Sequence, residues 1–224
     1  MRLLLFDIDG TLLRRATTEH RAALHGAIEE IHGVEIPDDT VSYAGRTDLE
    51  IARAILTLAG VDAAAIDARQ AAVRDAACDR YAHLAPESLR DRVAPGIPEL
   101  LDELEPRPDV RLSLLTGNLE PIARLKLRRA GLLHHFPAGQ GAYGSDGEDR
   151  ATLPAVARVR AGSRELPFPA QDTVVIGDTP ADIACARADG CAVIAVATGP
   201  FDADELAGAD AVADDAHGLL ELLV

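Results

Sequence analysis

The sequence predicts a doubly wound α/β fold, a parallel sheet with helices on both faces and a helical block inserted after the first strand. Three features lead there. Apolar runs of strand length recur along the chain, each is followed by residues at helical spacing, and the segment from about Thr17 to Leu84 has helical patterning with no buried strand of its own.

Taken in order, Arg2–Ile8 (RLLLFDI) is a continuous apolar run that ends in acidic residues and Gly10, the pattern of a parallel strand buried on both faces. The helical block follows and is clearest over Asp62–Tyr81; the chain re-enters the main layer near Pro95–Gly96, ahead of a helix at Ile97–Leu104. Val110–Thr116 is the second strand, and Glu120–Ala130 the helix after it, with Ile122, Leu125, Leu127 and Ala130 on one face. Gly139–Asp149 is glycine-rich and acidic, a loop with room for one short strand, and a helix is expected at Leu153–Ala161. Thr173–Gly177 is the third strand, and Pro180–Ala188 opens with a proline suited to a helix start. Ala192–Ala197, a weaker strand at Ala209–Ala213 and a closing helix at Ala216–Leu223 complete a five-stranded core.

With 224 residues, 48% apolar and 26% charged, the chain has the material for one domain, or one with an insert, around a sizeable core. Its net charge of −15, from 37 acidic and 22 basic side chains, argues against a nucleic-acid partner, since binding a polyanion needs clustered cations. An anionic membrane surface is disfavoured for the same reason. Cys78, Cys185 and Cys191 are scattered without metal-ligand spacing, which fits a reducing cytoplasm and a packing role. The apolar run Leu3–Phe6 is too short for a leader or a membrane span. Lys126 is the only lysine.

The chemistry-bearing residues stand where strands run out. Asp7-Ile8-Asp9-Gly10-Thr11 sets two carboxylates beyond the first strand, at the carboxyl end where open α/β sheets bind ligands. Alone, this reads equally well as a turn that solvates the strand end. After the second strand, Thr116-Gly117-Asn118 offers a hydroxyl, a flexible backbone and an amide suited to phosphate oxygens at a helix start. After the third come Gly177-Asp178-Thr179-Pro180-Ala181-Asp182. Taken singly, Asn118 and Asp178 read as helix caps. Together, three ends of one parallel sheet deliver three carboxylates and a phosphate-cradling turn to one edge.

This order resembles the haloacid dehalogenase-like superfamily of phosphohydrolases: Asp7, Asp9, Gly10 and Thr11 match its DxDGT motif, Thr116 its second, and Gly177, Asp178 and Asp182 its GDxxxD. The resemblance covers nearly the whole chain. It implies a Rossmann-like core over residues 1–16 and 85–224 and a small helical cap domain over 17–84. The family's third motif is a basic residue, usually lysine; here Arg150 is best placed for it, while Arg158 and Arg160 read as a solvated helix face.

The resemblance further implies hydrolysis of a small phosphorylated metabolite with Mg²⁺ as cofactor, Asp7 forming an aspartyl-phosphate and Asp9 serving as acid and then base. It also implies Asp7, Asp9 through its backbone carbonyl, and Asp178 as metal ligands, with Asp182 behind them orienting a metal water or Arg150. Thr116, Gly117, Asn118 and Arg150 would hold the phosphoryl oxygens, and Gly45 and Arg46 would face the leaving group. The alternative is that Arg46 only decorates a helix start capped by Thr47 or Asp48. His20 and His25 read as polar-face or interdomain residues, as does the His134-His135 pair.

Retention of Asp9 argues against halide displacement, and a cap without lysine excludes Schiff-base phosphonate cleavage. A phosphoglycolate phosphatase type is expected, with β-phosphoglucomutase-type transfer as the alternative. A phospho-acceptor signalling module is the rival from another class, but it is about half this length and ends its site with a lysine. A monomer and a homodimer fit the sequence equally.

Overall fold

A computed structural model describes residues 1–36 and 41–223. Five parallel strands, β1 (Arg2–Phe6), β2 (Val110–Leu114), β3 (Thr173–Gly177), β4 (Ala192–Val196) and β5 (Ala211–Ala213), form one sheet in the order β2-β1-β3-β4-β5. β1 lies at the centre of the chemistry: Phe6 pairs with Leu114 on one side and Ile176 on the other, so the ends of β1, β2 and β3 come level. Side chains alternate across the sheet. Leu4 and Phe6 enter one apolar layer with α4 (Ile97–Leu104), α5 (Glu120–Ala130) and α8 (Ala216–Leu223). Leu3 and Leu5 enter another with α6 (Leu153–Ala161) and α7 (Pro180–Ala188). Both faces being covered is why the strands read as unbroken apolar runs rather than alternating ones.

Between β1 and α4 lie α1 (Thr18–His32), α2 (Asp48–Leu58) and α3 (Ala63–Leu84). They share a separate apolar cluster that also takes in Leu119 and Ile122 at the start of α5. The helical block read from the sequence over 17–84 includes 37–40, which lie outside the described residues, as does 224.

Several boundaries differ from the sequence reading. β1 and β2 end at Phe6 and Leu114, two residues early, because Gly10 turns the chain with φ +94° and Thr116 hydrogen-bonds to Ala142 outside the strand. β4 ends at Val196 and β5 begins at Ala211. The glycine-rich loop holds no strand, only an isolated bridge between Leu115 and Ala142. α3 begins after Asp62, whose carboxylate accepts from the Ala65 N–H as a helix cap. On α5 the fully buried stripe is Ile122, Ala123, Lys126, Leu127 and Ala130; the expected Leu125 is half-buried, and the lysine stands on the apolar face.

Candidate active site

The three strand ends do converge. Asp7 follows β1 directly, its N–H donating to the Ile176 carbonyl at 2.8 Å, and its side chain is 7% exposed. Asp178 follows β3 and accepts from the Thr11 hydroxyl at 3.0 Å. Gly10 permits this approach, since a Cβ there would overlap the Asp178 carboxylate and its φ lies in the left-handed region. The Thr198 hydroxyl, after β4, donates to the Gly10 carbonyl at 2.7 Å and pins the turn.

Asp7, Asp178 and Asp182 bring one carboxylate oxygen each within 4.8 Å of one another, all three residues buried. Burial, with repulsion from Asp182 and Asp9, pushes the Asp7 carboxyl well up, against the pull of Arg150. Asp178 is pushed up likewise by burial, Asp7 and Asp182, with Thr11 and Arg150 opposing. Arg150 offsets only part of the charge three ionised carboxylates would carry, and the all-oxygen donor set suits a hard divalent cation.

Arg150 opens a 3-10 turn after Asp149, which caps it through the Ala151 N–H. Its guanidinium bonds to Asp182 and lies 3.5 Å from Asp7, while its buried Nε has no partner among the described residues. Burial disfavours the charge, but Asp182 and Asp7 outweigh it and hold the group protonated. Asp182 is fixed on its other side by the Thr179 N–H at 3.0 Å and hydroxyl at 2.7 Å. Arg158 and Arg160 turn elsewhere, to Asp189 and Asp146.

The isolated cap readings of Asn118 and Asp178 are corrected. Leu119 and Thr179 occupy the N-cap positions, which frees both side chains for the site. Asn118 donates its side-chain N–H to Asp9 Oδ2 at 2.8 Å, and its backbone N–H lies 3.3 Å from the buried Thr116 hydroxyl. Gly117 is pressed against the helical block, where a Cβ would overlap the Arg46 carbonyl. Gly45 takes φ +72°, Thr47 caps α2, and Arg46 lies 3.3 Å from Glu50 on the surface while also lining the cavity over the site.

Sequence reasoning missed Lys126. Its fully buried Nζ donates to Asp9 Oδ2 at 2.6 Å and lies 3.1 Å from His20 Nδ1. A lysine ammonium can only donate, so His20 Nδ1 accepts and its Nε2 carries the proton toward Asp48 Oδ2, 2.9 Å away. Asp48 also accepts from the Leu119 N–H at 2.8 Å. His20 thus joins the helical block to the main layer. Burial works against the Asp9 charge, but the Lys126 ammonium, with the Asn118 amide donating beside it, outweighs it and holds the carboxyl below its ordinary value. Asp9 Oδ1 and Asn118 Oδ1 are buried without partners among the described residues. The one signal in the sequence was the lone lysine four residues after Ile122 on the apolar stripe of α5.

His25 lies 2.6 Å from the Tyr43 hydroxyl, and His135 pairs with Glu105; neither contacts Asp7, Asp9, Asp178 or Asp182 through these bonds. Cys185 and Cys191 are buried, Cys78 half-buried, and burial raises all three thiols. The site floors a cavity of about 610 Å³ roofed by Tyr43, Gly45, Arg46 and Ile51. Among the described residues no helix is long and apolar enough to cross a membrane.

The model of the haloacid dehalogenase-like hydrolases matches residues 4–187. The chain is 31% identical over 205 residues to the tyrosine-protein kinase PtkA of Mycobacterium tuberculosis, covering 91% of this chain; it spans 64% of that relative's length. A β-phosphoglucomutase from Clostridium difficile superposes with a TM-score of 0.73 at 17% identity, over 98% of this chain and 93% of that one. The hydrolase SP0104 from Streptococcus pneumoniae does so with 0.65 at 19%, over 100% and 99%.

Proposed function

Because the chain belongs to the haloacid dehalogenase-like hydrolase family, we propose that it is a Mg²⁺-dependent phosphatase that hydrolyses a small phosphate monoester through an aspartyl-phosphate on Asp7. The observation that carries this reading is the convergence of Asp7 and Asp178, at two adjacent strand ends, with Asp182 of α7 and with Arg150. Residues 17–84 then act as a cap over a core of 1–16 and 85–224.

The raised Asp7 and Asp178 carboxyls fit a cation site. The Asp7 carboxylate, the Asp9 backbone carbonyl and the Asp178 carboxylate would hold Mg²⁺, which when bound neutralises charge on the transferring phosphoryl group. Arg150 faces the same group, kept protonated and aimed by Asp182. Thr116, Gly117 and Asn118 cradle its oxygens at the start of α5.

In the first half-reaction an Asp7 oxygen bonds to phosphorus, the ester P–O bond breaks, and the leaving oxygen takes a proton from Asp9. Lys126 and Asn118 occupy Asp9 Oδ2, which leaves Oδ1 to carry and release that proton. In the second, Oδ1 takes a proton from water as its oxygen bonds to phosphorus; the Asp7–phosphorus bond breaks and inorganic phosphate leaves.

A second reading replaces water by another acceptor, as in mutase-type transfer, and is favoured by the relative named as a tyrosine-protein kinase. Both readings are tested by incubating purified protein and Mg²⁺ with p-nitrophenyl phosphate and a phosphate-ester panel. Release of inorganic phosphate, abolished in Asp7→Asn, supports the phosphatase; phosphorylated product without free phosphate supports transfer; neither would sink both.

A further inference from the structure

We propose that the leaving group carries a second anion, a carboxylate or another phosphate, seated against Arg14 and Arg15 in the cavity that Arg46 also lines. The inference rests on the phosphatase reading and adds to it a substrate class and two residues.

Arg15 is the one non-glycine residue with positive φ, +55°, among the described residues. For an L side chain that backbone costs roughly 1–2 kcal/mol, which glycine or asparagine would largely avoid. The neighbouring chain holds the strained turn. The Arg15 carbonyl accepts from Arg92 at 3.0 Å, Arg92 is locked to Glu19 by two bonds of 2.8 and 2.9 Å, and the Arg14 N–H donates to the Arg92 carbonyl at 2.7 Å. Backbone strain over-determined in this way marks places where a side chain must point somewhere particular. Here both arginine side chains are exposed and line the cavity.

The charge distribution in the cavity says what they face. Its lining holds Asp7, Asp9 and Asp178, and besides Arg150 it carries Arg14, Arg15, Arg21 and Arg46. Asp48, which also lines it, is already committed to His20 and the Leu119 N–H, and Arg46 lies 3.3 Å from Glu50. Arg21 lies over the Tyr43 ring, 4.4 Å from its centroid. In a chain of net charge −15, the adjacent exposed guanidiniums of Arg14 and Arg15 beside a phosphate site form a field that selects anions. A cavity of about 610 Å³ also leaves space well beyond a phosphoryl group. Guanidinium forks suit carboxylate and phosphate oxygens, whereas a neutral polyol gains nothing from their charge.

The test compares kcat/KM within matched pairs: 3-phosphoglycerate against glycerol 3-phosphate, and fructose 1,6-bisphosphate against fructose 6-phosphate. The wild type is expected to prefer a charged member about tenfold or more, and the ratio to fall toward one in Arg14→Gln and Arg15→Asn. Asparagine tolerates the left-handed backbone, so Arg15→Asn should fold at least as stably as wild type. A merely structural effect would lower both members of a pair alike. Preference in the first pair alone assigns a carboxylate, in the second alone a phosphate. Turnover of p-nitrophenyl phosphate with ratios near one, or ratios unmoved in both variants, overturns the anion subsite and leaves the phosphatase standing. No turnover of any ester overturns the two together.

Discussion

Lys126 Nζ and Asp9 Oδ2 lie 2.6 Å apart, and they join α5 of the main layer to the turn after β1 across 117 positions of sequence. The lysine is fully buried, while the aspartate side chain keeps 17% of its surface. A buried ammonium without its carboxylate would be expensive, so the pair is held as a unit.

Lys126→Met is therefore expected to do more than remove a charge. With Lys126 gone, Asp9 loses the largest of the groups that oppose its burial and its carboxyl titrates higher. On the proposed mechanism, kcat should fall by about 10²-fold or more, the acid limb of its pH profile should move upward, and circular dichroism should remain native. An unchanged pH profile would show that Lys126 only fills space.

The metal-free carboxylate cluster gives a stability prediction with a definite sign. Asp7 and Asp178 rise from an ordinary 3.8 to about 7 and about 8. The folded state thus holds protons that the unfolded chain has already lost. Their contribution favours folding below the ordinary value and disappears as pH rises through neutrality. A cation bound by the ionised carboxylates reverses the loss. Millimolar Mg²⁺ should raise Tm by several degrees at pH 8.5 and by much less at pH 5.5. Asp178→Asn should remove the difference, and equal shifts at both pH values would contradict the assignment.

Much of this architecture is legible in the chain itself. β3, α4, α5, α6, α7 and α8 fall where periodicity places them, because proline and glycine mark their ends and both sheet faces are covered. Asp7, Asp178 and Arg150 are legible for a local reason too, each directly following an apolar run or opening a helix. What stays hidden depends on contacts between distant segments. Nothing near His20 announces that it will bridge Asp48 and Lys126, and nothing near Asn118 says that Leu119 will take the cap and release its amide to Asp9.

On the proposed reading Arg150 takes the part that the resemblance assigns to a lysine, and its geometry says how the two would differ. One guanidinium nitrogen bonds to Asp182 and reaches to 3.5 Å of Asp7, and the buried Nε is still unpartnered among the described residues. A lysine keeps the charge but supplies one nitrogen on a different stem. Arg150→Lys should retain activity reduced by about 10–100-fold, and Arg150→Met should lose considerably more. Arg158→Gln, which gives up only Asp189 and the Phe168 carbonyl, should leave kcat near wild type. A rate loss in Arg158→Gln matching that of Arg150→Met would move the phosphate-binding role to Arg158.

The loop that carries Arg150 is also tied to the helical block. Glu148, two residues upstream, accepts two bonds from Arg53 of α2, at 2.5 and 2.7 Å, and a third from Gln70 of α3, while its carbonyl accepts from the Thr47 hydroxyl at 2.7 Å. Arg53 is 31% exposed, so screening limits what this clamp adds to global stability to about 1 kcal/mol. Its effect should instead appear in the coupling of the block to the loop. In Arg53→Met, hydrogen exchange should quicken in the loop at 144–152 and at the start of α2 and stay unchanged in β1 and β3, because the sheet makes no use of the clamp. kcat/KM should fall by several-fold with Tm nearly constant, since Arg150 would spend less time where Asp182 aims it. Faster exchange throughout the sheet would mean that Arg53 supports the fold as a whole, and unaltered exchange in the loop would mean that Thr47 alone keeps it in place.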